Sequence, residues 1–306
     1  MSSDNHIHYL PQNEIDKSKW DNCVSNAGNG LVYAYSHYLD CMVRNWDALI
    51  LNDYEAIMPL TWNKKCGFHY LYQPAFTASL GVFGNGLTET LVGDFIKAIP
   101  KKFKLIEISL NYGNSFSAPT DFNMLRNNYT LSLNKDYDSL NSSYNKNIRR
   151  NIKKAQQYGC TIKKNIPVAD VIDLSKPSLQ KQTNTTDEDY KNFERLFTFL
   201  HQQSKAITYG VYSDKEELIA SCVYFFSHNR AYYILVGNHP NGKTLGASHY
   251  LIDRFIYDHA GQNLILDFEG SDIRNLAFFY SSFGAQNEVY PFLKINRLPF
   301  WAKWAK

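Results

Sequence analysis

A pattern of predicted secondary structure recurs in this chain at a nearly constant spacing. An apolar hairpin pattern at residues 55–74 reappears at residues 217–240, and each copy leads through a glycine-containing loop to a helix and a buried strand. Residue identities are not kept, so the repeat is one of pattern. We therefore predict two copies of one α/β module. The offsets between matching positions are 162, 166 and 159 for the pairs Glu55 and Glu217, Pro74 and Pro240, and Leu105 and Leu264.

The repeat predicts the fold class and the domain bounds. We expect an α/β fold with mixed sheets, in which each module is a largely antiparallel mixed sheet flanked by helices. Residues 1–127 would form the first module and residues 128–306 the second, with a strand at 127–133 joining them. The polar stretch 173–189 is predicted to be a loop. We expect the first module to be degenerate, because its loop has no Gly-Lys run.

Composition agrees with two domains in the cytoplasm. A length of 306 residues suggests roughly two domains. The first twenty residues contain no apolar segment of the signal-peptide type. No apolar run approaches the roughly 18 residues that a membrane span needs. The five cysteines are odd in number and scattered, which is typical of reduced thiols. The net charge of +3 is too small to imply a polyanionic partner by itself, and we expect no DNA partner.

The segment 141–165 is strongly basic. It contains seven basic residues and no acidic one, and its apolar residues recur at helical spacing. We predict an amphipathic helix that ends at Gly159. Its outer face is either an ordinary solvated surface or a site for phosphate groups of RNA or of a nucleotide cofactor. The candidate polyanion-binding residues are Arg149, Arg150 and Lys153.

Residues 237–244 match the phosphate-loop pattern G-x-x-x-x-G-K-[ST]. Only 62 residues follow Thr244, and the preceding strand belongs to an antiparallel hairpin, so a P-loop nucleotide hydrolase is disfavoured. The same stretch still predicts an anion site suited to a diphosphate, because glycines precede the N-terminus of a helix. A plain strand-to-helix turn is the alternative. The candidate cofactor-binding residues are Gly242, Lys243, Thr244, Gly246, Ala247 and Ser248.

The hairpin, the loop at 243–248 and the helix that carries Asn275, Ala277, Tyr280 and Gly284 together resemble the GNAT acyltransferases. This resemblance implies that the loop binds the diphosphate of an acyl-CoA. Among acyl-CoA donors, acetyl-CoA is the leading candidate. It also implies transfer of the acyl group to an amine, on a small molecule or a peptide-like acceptor.

Tandem GNAT modules also resemble the FemABX-like group. The similar segments are residues 145–159, 267–271 and 279–284, and the resemblance covers about residues 45–295. It implies aminoacyl-tRNA as an alternative donor. The helical arm typical of the peptidoglycan transferases has no counterpart between Tyr190 and Glu217. We therefore place acyl-CoA ahead of tRNA.

The resemblance also suggests catalytic residues. Tyr280 would protonate the leaving thiolate, and Glu269 or Asp267 would be the base that deprotonates an incoming ammonium. The alternatives are a half-buried aromatic with a hydrogen-bonded hydroxyl for Tyr280, and a cap or a salt bridge to Arg274 for Asp267 or Glu269. The nine histidines show no metal-ligand spacing, so we expect no metal. A non-catalytic binding protein with a decayed site is the alternative from another functional class.

Overall fold

The computed structural model describes residues 6–115, 123–180, 183–270 and 272–300, so Ser271 of the predicted 267–271 motif lies outside the described residues. The chain divides into two compact units. One contains residues 1–126 and 289–306, and the other contains residues 127–288.

The first part of the chain contains six strands and three α-helices among its described residues, besides two short 3-10 helices. The strands are β1 (Ile7–Leu10), β2 (Trp46–Leu51), β3 (Ala56–Lys65), β4 (Phe68–Leu71), β5 (Phe83–Gly84) and β6 (Phe103–Ser109). The helices are α1 (Lys17–Asn26), α2 (Ser36–Met42) and α3 (Glu89–Ala98).

The rest of the described chain supplies seven strands and seven helices. The strands are β7 (Asn123–Ser132), β8 (Thr161–Lys164), β9 (Ala206–Tyr212), β10 (Leu218–Ser227), β11 (Arg230–Asn238), β12 (Ile265–Asp267) and β13 (Gln286–Asn296). The helices are α4 (Tyr137–Ser142), α5 (Lys146–Gln157), α6 (Val168–Leu179), α7 (Asp187–Gln202), α8 (Pro240–Leu245), α9 (Ala247–His259) and α10 (Arg274–Ser281).

In the first unit, the strand order is β1-β2-β3-β4-β6-β13, with β5 paired to β3. The pairing of β4 with β6 is parallel, and the other pairings are antiparallel. The second half of β13 belongs here, because Phe292–Asn296 pairs with Leu105–Ser109 of β6. Residues 289–306 therefore lie with the first unit, whereas the sequence-based bounds put them with the second.

In the second unit, the strand order is β7-β12-β11-β10-β9-β8. Here β11 and β12 are parallel, and the remaining pairs are antiparallel. Both halves thus contain an antiparallel hairpin, a helix and a strand that returns parallel to the second hairpin strand. This common order explains the repeat in the sequence. The predicted fold class, an α/β fold with mixed and largely antiparallel sheets, is confirmed.

Local sequence explains the helices of the second unit. The side chain of Asn145 caps α5 by accepting from the N–H of Ile148 at 2.9 Å, and Gly159 takes a left-handed φ of 69° after its last turn. The apolar face of α5 is buried, as its spacing predicts, whereas its basic face stays outside. The prediction of an amphipathic helix ending at Gly159 is confirmed.

The prediction of a loop at 173–189 is wrong at both ends, because α6 includes residues 173–179 and α7 begins at Asp187. Helix α6 runs to Leu179, because Val168, Val171 and Ile172 bury one helical face. Pro177 lies in the last turn of this helix, close to where the helix ends. Within the described parts of the chain, no helix is long and apolar enough to cross a membrane.

Candidate functional site

The C-terminal part of β11, residues 233–238, has a free edge. Its pairing with β12 covers only three residue pairs and ends at Tyr232 and Asp267, while β11 continues to Asn238. Among the described residues, the stretch 233–238 therefore has a strand neighbour on one side only, which is β10. The backbone groups of this free edge can bind an extended ligand.

A β-bulge lies within the same stretch. Val223 of β10 pairs with Leu235, and the next residue, Tyr224, pairs with Tyr233, so Ile234 is the extra residue of β11. A bulged residue is left unpaired and bends its strand. The bulge therefore frees a backbone group beside the free edge, where it can polarise a carbonyl of a bound ligand.

The chain passes from β11 through α8 to α9. Part of the helix start after the loop has its backbone donors satisfied. Gly246 donates to carbonyls of α8, and the N–H groups of His249 and Tyr250 lie 3.1 and 3.2 Å from the carbonyl oxygen of Gly246. The orphan donors of α9 are at Ala247 and Ser248, its first two residues. They lie at the positive end of a 13-residue helix, which favours an anion.

The predicted cofactor-binding residues fall into two groups. Gly242 and Gly246 are closely packed and leave no room for a side chain. A Cβ added at Gly242 would lie 2.1 Å from the carbonyl oxygen of Ile219, and one added at Gly246 would lie 2.5 Å from that of Asn151. Lys243 and Thr244 are exposed beside them. Ala247 is buried, and the half-buried Ser248 donates a hydrogen bond to Asn238 at the end of β11. Because α8 replaces an open phosphate loop, the structure gives the P-loop reading no support.

Asp267 is held in a buried network. Its carboxylate accepts from Arg230 at 2.8 Å, from Asn128 at 2.9 Å and from the N–H of Glu269 at 2.9 Å. Arg230 in turn makes two bonds to Glu288, at 2.9 and 2.7 Å. Burial opposes the charge of Arg230, but these carboxylates raise its pKa. Three donors, one of them a buried arginine, hold the Asp267 carboxylate at the end of β12. The salt bridge expected with Arg274 is instead made with Arg230.

Tyr280 and Glu269 are brought near each other at the end of β12. Tyr280 is 8% exposed, and its ring stacks on Phe268 with centroids 4.5 Å apart. Burial, and then the charge of Glu269, raise the pKa of Tyr280, so its phenol stays protonated. Glu269 is half-buried and has a left-handed φ of 64°, so it lies past the end of β12 at Asp267. Of the two candidate carboxylates, Glu269 is the one whose charge acts on the phenol of Tyr280.

The basic helix α5 packs against α9. Gly246 lies against the backbone of Asn151, and the amide nitrogen of Asn151 is 3.1 Å from Nε2 of His249. Arg150 and Lys153 are exposed on α5. Arg149 has a structural role, because its guanidinium donates to the carbonyls of Ser142 and Tyr144 at 2.7 and 2.8 Å. The exposed cations thus belong to a helix whose opposite face packs against the start of α9.

Sequence reasoning missed three parts of this site. It did not find Arg230 or Asn128 as partners of Asp267, and it left His249 without a role. The bulge at Ile234 was missed as well. No local signal marks these features, because their partners lie 37, 139 and 98 residues away in the chain for Arg230, Asn128 and His249. Within the described ranges, no three His, Cys, Asp or Glu side chains form a group that could hold a metal ion.

Residues 142–272, which contain most of this site, match the family described as an acetyltransferase (GNAT) domain. This part of the chain is similar to the GNAT acetyltransferases. The match supports the prediction of an acyltransferase. No curated protein matches the chain significantly in sequence.

Solved structures share the fold of the whole chain. A crystal structure of FemX covers 94% of this chain and 97% of its own, with 13% identity and a TM-score of 0.64. A conserved protein of unknown function from Bacteroides thetaiotaomicron VPI-5482 covers 94% and 99%, with 11% identity and a TM-score of 0.58. The C-terminal domain of a putative lysylphosphatidylglycerol synthetase from Agrobacterium fabrum covers 95% and 94%, with 9% identity and a TM-score of 0.55. The predicted FemABX-like architecture is confirmed.

Proposed function

We propose that this chain is an N-acyltransferase that moves an acyl group from acyl-CoA, acetyl-CoA first, to an amine of a small-molecule or peptide-like acceptor. The observation that carries the proposal is the free edge of β11 at residues 233–238, which leads towards the N-terminus of α9. An extended thiol-linked arm can pair its amide groups with this edge, because strand addition satisfies backbone donors and acceptors.

The diphosphate of the donor would lie at the first turn of α9. Ala247 and Ser248 offer backbone N–H groups there, and the helix dipole adds partial positive charge. Lys243 is exposed nearby and adds a full charge. With the diphosphate at α9, the thioester carbonyl would lie near the bulge at Ile234, whose freed backbone group can stabilise the developing oxyanion.

In the proposed reaction, the acceptor nitrogen attacks the thioester carbon, and the carbon–sulfur bond breaks. The carboxylate of Glu269 takes the proton that the amine loses. The phenol of Tyr280 gives its proton to the leaving thiolate, and the phenolate is protonated again by Glu269. The products are the N-acylated amine and the free thiol, so atoms and protons balance.

Loss of a positioned acid typically costs roughly 10²- to 10⁴-fold in rate. Because the raised pKa of Tyr280 makes it a weak acid, we expect Tyr280→Phe to lower kcat by about 10²-fold, at the lower end of this range, with little change in KM. Wild-type turnover in this variant would remove Tyr280 from the mechanism.

Aminoacyl-tRNA is the second candidate donor, and the position of α5 favours it. The cations Arg150 and Lys153 are exposed on α5, the helix that packs against the start of α9, and exposed cations can contact phosphates of a nucleic acid. The similarity to FemX and to a putative lysylphosphatidylglycerol synthetase is a similarity of fold, and it agrees with either donor.

Titration calorimetry with acetyl-CoA and with aminoacyl-tRNA would separate the two donors. Ser248→Glu adds a negative charge where the diphosphate would bind, so we expect acetyl-CoA affinity to fall by at least roughly tenfold. Thr198→Glu is the control, since it makes the same change of charge on the exposed face of α7. Equal affinity of acetyl-CoA for the two variants would contradict the diphosphate site.

Charge reversal on α5 tests the second donor. If the donor is a tRNA, Arg150→Glu with Lys153→Glu should weaken its binding and make the salt dependence shallower. Lys191→Glu with Arg195→Glu is a matched control on α7, because Arg195 bonds Asn192 at 2.7 Å as Arg150 bonds Asn147. An unchanged salt dependence in the α5 variant would leave this face as an ordinary solvated surface.

A further inference from the structure

The strand β12 is followed by a turn whose backbone is left-handed at two successive residues. Glu269 has a φ of 64°, and Gly270 has a φ of 88°. Glycine adopts such values freely, whereas a residue with a Cβ is strained by them. Strained residues persist only where the surrounding structure holds them, and they are concentrated at functional sites. Because Glu269 is the base of the proposed reaction, the contacts that hold this turn bear on its chemistry.

Asn128 of β7 lies opposite this turn. The pairing of β7 with β12 ends at Thr130 and Asp267, and in the same register Asn128 comes opposite Glu269. The backbone of Glu269 has left the sheet at that point, because β12 ends at Asp267. The side chain of Asn128, which is 8% exposed, therefore contacts the turn where strand pairing has stopped.

Two buried side chains accept hydrogen bonds from the backbone of the turn. The N–H of Gly270 donates to Oδ1 of Asn128 at 2.6 Å. The N–H of Glu269 donates to Oδ1 of Asp267 at 2.9 Å. The amide nitrogen of Asn128 also donates to this oxygen of Asp267, at 2.9 Å, so the two accepting side chains hold each other in place. Both strained residues are thus bound through their N–H groups.

The two accepting side chains differ in their place in the chain. A hydrogen bond from a backbone N–H to an aspartate two residues earlier is a local feature that recurs in turns. Asn128 lies 142 residues before Gly270, so its hydrogen bond ties the turn to a separate strand of the sheet. The position of the turn relative to the sheet therefore depends on Asn128.

We propose that Asn128 is a positioning residue, which holds the base Glu269 in place for proton transfer through the backbone of the turn. The inference rests on the proposed function, in which Glu269 takes the proton that the amine loses. A general base must lie within hydrogen-bond reach of the proton that it takes, so a small displacement of the turn lowers the rate.

Amide hydrogen exchange of Gly270 tests the hydrogen bond without any substrate. Asn128→Ala removes the acceptor, so we expect this amide to exchange at least roughly tenfold faster than in wild type. Asn141→Ala is the matched control, because Asn141 also donates a side-chain hydrogen bond at 2.9 Å within the second unit, to Tyr137. The control should change neither this exchange rate nor kcat. Equal exchange of Gly270 in Asn128→Ala and wild type would overturn the inference.

A double-mutant cycle on kcat tests whether Asn128 acts through Glu269. We expect Glu269→Gln to lower kcat by about 10²-fold or more, and Asn128→Ala to lower it by roughly tenfold with little change in KM. Adding Asn128→Ala to Glu269→Gln should have no further effect, because the carboxylate that Asn128 positions is already gone. A merely structural role would lower kcat by the same factor in both backgrounds, and that result would overturn the inference.

Glu269→Gly tests the strain in a variant that keeps Asn128. Glycine adopts a φ of 64° without a steric cost, so we expect this variant to unfold at a higher urea concentration than wild type, although it loses the base. An equal or lower midpoint would show that the turn carries no strain and needs no support from Asn128.

The two levels of the proposal fail differently. Wild-type protein that transfers an acyl group from neither acetyl-CoA nor aminoacyl-tRNA would contradict the proposed function, and the role of Asn128 with it. An active wild-type protein in which Asn128→Ala changes neither kcat nor the exchange of Gly270 would overturn the role of Asn128 alone.

Discussion

At the scale of single residues, the buried ion pair of Arg230 with Asp267 is the most consequential contact of the second unit. Both side chains are almost fully buried, and Arg230 also binds Glu288. Removing one partner of such a pair leaves an uncompensated buried charge.

We therefore expect Arg230→Met to lower the free energy of unfolding by about 3–5 kcal/mol, measured by urea denaturation. Lys19→Met is the control, because its partner Asp53 and Lys19 itself are exposed, and we expect no measurable change. A loss below about 1 kcal/mol in the Arg230 variant would show that the pair is solvated.

A single residue, Asp253, should also make the stability of the fold depend on pH. Its carboxylate is buried in α9 and accepts from the hydroxyl of Tyr137 at 2.8 Å, and burial raises its pKa. A raised pKa in the folded state means that stability is fully present below the unfolded pKa of about 3.9 and is lost as pH rises through the folded pKa.

Asp253→Asn removes this titration and keeps the hydrogen bond. Relative to wild type, the variant should gain stability as pH rises from 4 to 8. Thermal unfolding of both proteins at each pH measures this difference. A constant difference between the two proteins across this range would show that Asp253 titrates normally.

At the scale of elements, α5 and α9 meet at Gly246. The backbone there is left-handed, with a φ of 80°, and a Cβ would lie 2.5 Å from the carbonyl oxygen of Asn151. Substitution therefore strains the backbone and forces the helices apart. A bulky residue at this position cannot leave the fold intact.

Gly246→Ala should lower the free energy of unfolding by about 1–3 kcal/mol. Gly93→Ala in α3 is the matched control, since nothing lies within 4 Å of its Cβ position, and it should stabilise by roughly 0.5–1 kcal/mol. Urea denaturation of both variants checks this pair. Equal stability of Gly246→Ala and wild type would contradict the close packing of α5 on α9.

The elements also show how far sequence reasoning reaches. The strands β10 and β11 were predicted from their apolar runs and α5 from its helical spacing, because these patterns are visible in the local sequence. Helix α6 was missed since Pro177 suggested a loop. The partners of Asp267 could not be predicted. Arg230 follows a turn, a position typical of an exposed residue, and only the folded structure shows that it contacts Asp267 of β12.

At the scale of the whole molecule, the first unit is built from both ends of the chain. Leu293 of β13 is 1% exposed and packs in the core that contains Phe95 and Phe103. Leu293→Ala should lower the free energy of unfolding by about 2–5 kcal/mol, measured by urea denaturation.

Lys294→Ala on the same strand is the control for this prediction. Its side chain is 48% exposed, and we expect a change within about 0.5 kcal/mol. A small effect of Leu293→Ala would contradict the assignment of residues 289–296 to the first unit.

The location of the donor is tested most directly by hydrogen exchange of the whole protein with and without acetyl-CoA. The backbone amides of residues 233–238 and of Ala247 and Ser248 should exchange more slowly when the donor is bound, because they would then be hydrogen-bonded or covered. The strand β3, in the first unit, should be unaffected. Unchanged exchange at these amides, with acetyl-CoA shown to bind elsewhere, would contradict the proposed site.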